Sequence, residues 1–222
     1  SVTIYVPTKR AIQELRSEFI EITGKKSTIL PIIKSLGDVV EEKFTADLLL
    51  SYNLNPPVSN IQRLLELARL ILIWRNKLPD IIKDLYPESP LSLPISPANA
   101  IWLAKNLADI IDIIETEEKK WEDLHALKNE KYGMWWLLAA DFLKIASKYW
   151  TERLVELNAS SPVGYQIALM RAEAEHLMKG TKGPIIIAGS TGSIPATARL
   201  MSTVANHPNG AIVLPGLDCH IP

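Results

Sequence analysis

The sequence predicts an α/β fold: one parallel sheet, incomplete at both ends, carrying a large all-helical insertion. Three observations lead there. Short β-branched runs stand near both ends of the 222-residue chain. Each end reads strand, helix, strand, an order that favours parallel pairing through crossover helices. Almost everything between them has helical periodicity. The expected division is residues 1–38 and 180–222 for the α/β core and 39–179 for the helical insertion.

The elements follow in order. VTIYV, Val2 to Val6, is β-branched and aromatic, hence a strand. After Pro7 and Thr8, Ala11, Ile12, Leu15, Phe19 and Ile22 recur at spacings of three and four, the apolar face of a helix. Gly24 stands where a left-handed cap is wanted. STILPII gives a second short strand, closed by Gly37. Ser59 and Gln62 form a capping box ahead of Leu64, Leu65, Ala68, Ile71 and Leu72, and Pro79 is expected to close that helix. The proline-rich stretch Tyr86 to Pro97 reads as a loop. Ser96 caps the next helix, with Pro97 in its first turn and Ala104, Leu107, Ala108 and Ile111 facing inward. Glu115 to Lys120 is a charged, exposed exit. A helix runs from about Met134 to Leu157, and another from Ser161-Pro162 to near Lys179. Pro184 to Ala188 is a strand, Ile194 to Ala205 a helix, HPNG a turn, and AIVLP, Ala211 to Pro215, the fourth strand. A strand at each raw end reads as a piece of a longer protein.

Composition narrows the classes. The chain is 47% hydrophobic and 22% charged, as a sizeable core requires. Its net charge of −1 offers no global basic field for nucleic acid, although a local patch acts through nearby charges alone. The single cysteine, Cys219, excludes an internal disulfide framework and suits a reducing cytoplasm. No apolar run reaches the roughly 20 residues that span a bilayer. The longest candidate, Leu64 to Trp74, is broken by Glu66 and Arg69, and no signal peptide is expected. The expectation is a cytoplasmic protein with no membrane partner.

GPIIIAGSTGSIPATARLM, Gly183 to Met201, runs strand, glycine turn, helix, the arrangement with which many proteins hold phosphate. A P-loop also needs a lysine for the β- and γ-phosphates and a hydroxyl for Mg²⁺, and Gly189-Ser-Thr-Gly192-Ser has no lysine. A dinucleotide fingerprint lacks its third glycine and its later acid. A Walker B strand needs a carboxylate for Mg²⁺, yet no Asp or Glu lies between Glu175 and Asp218. Two readings stand. One is a strand-to-helix corner with Ser193 as cap and Pro195 in the first turn. The other is a site where Ser190, Thr191 and the amide of Gly192 hold a backbone phosphate of DNA.

The first strand runs into Thr8-Lys9-Arg10. Two cations and a hydroxyl at a helix start suit a phosphate, and cations are unfavourable at the positive end of a helix dipole. A solvated helix start is the other reading. The strand-Thr-Lys-Arg-helix form resembles motif Ia of superfamily-1 helicases, whose turn touches the backbone of single-stranded DNA. That resemblance implies DNA contact at Thr8, Lys9 and Arg10.

Taken in order, VPTKRA, ILPIIKSLGD, a helical stretch, AGSTGSIPATARL and AIVLPGLD resemble the N-terminal helicase-like region of AddB-type subunits. These belong to AddAB helicase–nucleases, which process double-strand breaks for recombination. The resemblance covers nearly the whole chain and is closest to the alphaproteobacterial type. It implies a sheet of the P-loop, superfamily-1 helicase-like type and a catalytically silent region. That region would contribute DNA contacts and a docking surface for an AddA-type subunit. Cofactors are implied only for the parent complex, as ATP and Mg²⁺, with none in this segment.

Other residues read as structural. His125, His176, His207 and His220 show no metal spacing. Cys219-His220 are neighbours in sequence, an arrangement that rarely aligns for catalysis. All six tryptophans fall between Trp74 and Trp150 and are expected to fill core and interface. Trp135-Trp136 is the exception, since adjacent residues cannot share one helix face. The helix Ile101 to Ile114 is apolar over more than one stripe, which suggests burial between neighbours.

Overall fold

A computed structural model of the chain describes residues 2–24, 29–36, 54–85, 96–121, 133–180 and 183–216, with backbone alone at 78–85 and 133–137. Its elements in chain order are β1 (Thr3–Val6), α1 (Lys9–Ile22), β2 (Ile32–Ser35), α2 (Asn60–Leu85), α3 (Pro97–Thr116), α4 (Gly133–Lys144), a π-helical segment Ile145–Trp150, α5 (Thr151–Glu156), α6 (Pro162–Met178), β3 (Ile185–Ala188), α7 (Pro195–Ala205) and β4 (Gly210–Val213). Two compact units result. One joins Ser1–Leu54 to Gln166–Pro222, and the other is Asn55–Tyr165.

The first unit holds a four-stranded, all-parallel sheet in the order β2-β1-β3-β4. A parallel strand buried on both faces must be apolar on both, and these are. Tyr5, Ile185 and Ile187 point to one face, where Ala174 and Leu177 of α6 and Leu200 and Val204 of α7 cover them. Ile4, Val6 and Ile33 point to the other, covered by Ile12 with Ala11, Leu15 and Phe19 of α1. Each such side chain contributes about 1.5–3 kcal/mol of apolar burial. The α/β class and the parallel pairing are as the sequence predicts.

Two expectations about this unit need correction. Ile22 does not join the apolar face of α1 and is 81% exposed. The fourteen-residue helix is ~21 Å long, whereas a four-residue strand covers only ~13 Å, so its last turn outruns the sheet. Among the described residues the second strand starts at Ile32, because Pro31 has no amide to give a ladder and Ile29 lies exposed before it, while the expected start Ser27-Thr28 lies outside the described residues. Gly24 does adopt the left-handed conformation, with φ +63°.

The sheet and α6 share a buried polar triad. Tyr5 donates its hydroxyl to Glu173, and Lys34 Nζ lies 2.7 Å from the same carboxylate oxygen and over the Tyr5 ring. Burial, then the charge of Glu173, pushes the Tyr5 phenol far above its usual range, so it stays a donor. This explains why the helical stretch expected at 39–179 gives up residues 166–179 to the sheet unit. Glu173 needs the sheet's donors, and Ala174 and Leu177 need its apolar face.

The second unit is helical. Leu67, Ala68 and Ile71 of α2 pack with Ala100, Ala104, Leu107, Ala108 and Ile111 of α3, and Ile145, Ala146 and Trp150 close the cluster. Ala100, Ala104 and Ala108 recur every four residues, a stripe of small side chains that lets α2 come close. Ser59 and Ser96 cap these helices, accepting from Gln62 N at 3.2 Å and Asn99 N at 3.1 Å. The helix does not stop at Pro79 but runs to Leu85. A proline removes one amide donor without forbidding the turns beyond it. The helix expected from Met134 to Leu157 contains the π-helical turn, which apolar periodicity does not reveal.

Several charged groups inside this unit are paired, although Arg63 Nε and Trp150 Nε1 are buried without a hydrogen-bond partner. Buried Arg63 forms a two-pronged pair with Asp112 at 2.7 and 3.0 Å and donates to the Ala108 carbonyl. Arg153 grips Glu66 in the same way at 2.9 and 3.0 Å, which holds the Glu66 carboxyl below its usual range. Glu115, expected to be exposed, is half-buried and accepts from Ser161 Oγ at 2.6 Å; burial pushes its carboxyl up. Trp150 is buried, while Trp74 packs edge-on to Phe142 and donates to Asp141. Trp121 packs against the same core, but Trp102 is 64% exposed. Ile101, Ile110 and Ile113 of α3 are exposed as well, so its second apolar stripe is not covered within the unit. The expected loop 86–95, the side chains of Trp135 and Trp136, and Cys219-His220 lie outside the described residues.

Candidate functional site

The strand order defines one special place. From β1 the chain moves outward to β2 on one side, and from β3 it moves outward to β4 on the other. The connecting helices α1 and α7 accordingly cover opposite faces. Between the carboxyl ends of β1 and β3 the winding reverses. Open parallel sheets bind their ligands in the crevice at such a reversal.

Both stretches singled out in the sequence end there. β1 and β3 are hydrogen-bonded neighbours, with Tyr5 level with Ile187, so Pro7 to Arg10 and Gly189 to Gly192 leave the sheet side by side. The turns lie close together: a Cβ on Gly189 would stand 3.6 Å from Pro7 Cδ. Two short stretches from opposite ends of the chain thus share one end of the sheet.

The first turn is built on Thr8. It is the N-cap of α1, with extended backbone, and its Oγ1 accepts from Ala11 N at 3.2 Å. A threonine hydroxyl that accepts inward keeps a hydrogen to donate outward. Lys9 and Arg10 open the helix, and both are exposed. Arg10 Nε lies 2.8 Å from Glu14, one turn on, with both side chains more than half exposed. A pair in that setting is worth little and exchanges readily for another anion.

The second turn depends on two left-handed glycines, Gly189 at φ +78° and Gly192 at φ +67°. Gly189 N donates to Val213 O at 2.8 Å and ties the turn to β4. Ser190 Oγ accepts from Gly192 N at 3.3 Å, so that amide is already turned into the loop. Of the three groups expected to face a phosphate here, the exposed Thr191 and the half-buried Ser190 present hydroxyls, while the Gly192 amide has an internal partner. Ser193 is not the cap of α7. Ile194 holds that position with no side-chain hydrogen bond, and Pro195 follows in the first turn. The first amides of α7 therefore have no side-chain cap, a partial positive charge at the same sheet end.

The groups at this end are of the kind that suit an anion. It combines two cations, three hydroxyls and two helix starts, and the chain from His176 to Leu217 carries no carboxylate side chain. Among the described residues, no group of three His, Cys, Asp or Glu is placed to hold a metal ion. No described helix is long and apolar enough to cross a membrane. In comparison with known proteins, no family model, no curated protein and no solved structure matches this chain.

Proposed function

We propose that this chain is the helicase-like N-terminal region of an AddB-type subunit, a catalytically silent part of a cytoplasmic DNA break-repair helicase–nuclease. In this reading its sheet is of the P-loop, superfamily-1 helicase-like type and Asn55–Tyr165 is the core of a helical insertion. The sheet's winding reversal holds the sugar–phosphate backbone of a single DNA strand. Thr8, Lys9 and Arg10 grip it from one side, and Ser190 and Thr191 from the other. The partner is an AddA-type subunit, and ATP and Mg²⁺ serve the complex rather than this segment.

The observation that carries the reading is the meeting of the two turns. A motor site at a sheet end of this kind needs a lysine in the glycine loop and a carboxylate on the strand. The 189–193 turn has neither, while phosphate-binding groups remain on both turns. A backbone phosphate is monoanionic and needs no metal to be held by hydroxyls and cations.

The test is binding of a fluorescent single-stranded oligonucleotide to the full chain across a salt series. The expected result is an affinity that falls with salt. The double variant Lys9→Ala, Arg10→Ala should weaken binding. It should also flatten the log–log salt slope by about 0.7 for each phosphate of a single strand that is no longer neutralised. An unchanged affinity and slope in that variant removes the assignment. Saturable ATP binding that disappears in Gly189→Val would instead favour a nucleotide site.

A further inference from the structure

We draw no further inference here: the strongest candidate, the open groove between α6 and α7 lined by Met170, Ala174, Met178 and Ala196 with Arg171, Glu175 and Arg199 beside it, carries both signs of charge, and nothing in the structure shows what covers it.

Discussion

The two units spend their polar residues differently. In the sheet unit the faces are sealed by apolar side chains, and one buried triad, Tyr5–Glu173–Lys34, fixes α6 to the sheet. Thr8, Lys9, Arg10, Ser190 and Thr191 lie at the carboxyl end of β1 and β3. In the helical unit the order is reversed. Arg63, Asp112, Glu115 and Ser161 are drawn inward, while Ile61, Leu65, Trp102 and Ile113 stay exposed. The helical unit thus keeps its ion pairs inside and the sheet unit keeps polar groups at one sheet end, while exposed apolar side chains such as Ile22, Val213, Trp102 and Ile113 occur on both.

The contrast can be broken at its most rigid point first. A Cβ on Gly210, where β4 begins, would stand 1.8 Å from the Val204 carbonyl oxygen, a backbone atom that cannot rotate away. Gly210→Ala is expected to cost about 3 kcal/mol, at the upper end for overpacking, and to lower the urea midpoint of the sheet unit. An unchanged midpoint would mean that the turn from α7 into β4 is soft.

Next come the internal ion pairs. Glu173→Gln removes the charge that both Tyr5 and Lys34 use and should cost about 2–3 kcal/mol, as expected for hydrogen bonds to a charged group. Arg63→Met keeps the packing of the stem but strands Asp112, which is about one-third exposed and so rehydrates. Its cost should be smaller, about 1–2 kcal/mol. Denaturant unfolding of both variants ranks them, and the opposite order would show that the helical unit depends more on its buried charge.

The third test uses pH. Burial raises the Glu115 carboxyl above its ordinary range in the folded chain. The unfolded chain therefore ionises first as pH rises, and this group's contribution to stability falls from the ordinary glutamate range up through the raised value. Glu66, held low by Arg153, acts in the opposite sense and loses its contribution as pH falls. Glu115→Gln keeps an acceptor for Ser161 and removes the first slope. Its thermal midpoint, relative to the parent, should rise as pH increases from the ordinary glutamate range (about 4.3) towards neutrality. A relative midpoint that is flat with pH would place Glu115 in water. The smallest effect is expected at the exposed face, where Trp102→Ala should change stability by no more than about 0.5 kcal/mol.

Much of the fold was legible because its signals are local. Ser59, Ser96 and Ser161 announce helix starts, and each hydroxyl accepts the amide three residues on. The inward face of α3 follows from the spacing of Ala104, Leu107, Ala108 and Ile111. What was not legible depends on residues distant in the chain. Glu115 looks like part of a charged exit until Ser161 is beside it, and Glu173 is one of several glutamates and lysines near α6 until Tyr5 and Lys34 arrive. The site was readable in halves. Thr8–Arg10 and Ser190–Gly192 each stood out, but only the strand order puts them together. Ser193 has the residue type of a cap, yet the chain places Ile194 there, one residue later.

The central claim is that these two turns form one site. A double-mutant cycle on single-stranded DNA affinity tests it directly, with Lys9→Ala, Arg10→Ala as one arm and Ser190→Ala, Thr191→Ala as the other. Groups that share a phosphate are coupled, so the combined variant should depart from additivity by at least about 0.5 kcal/mol. Strict additivity, or no effect of the serine–threonine arm, would contradict the claim and leave Thr8–Arg10 as a separate contact.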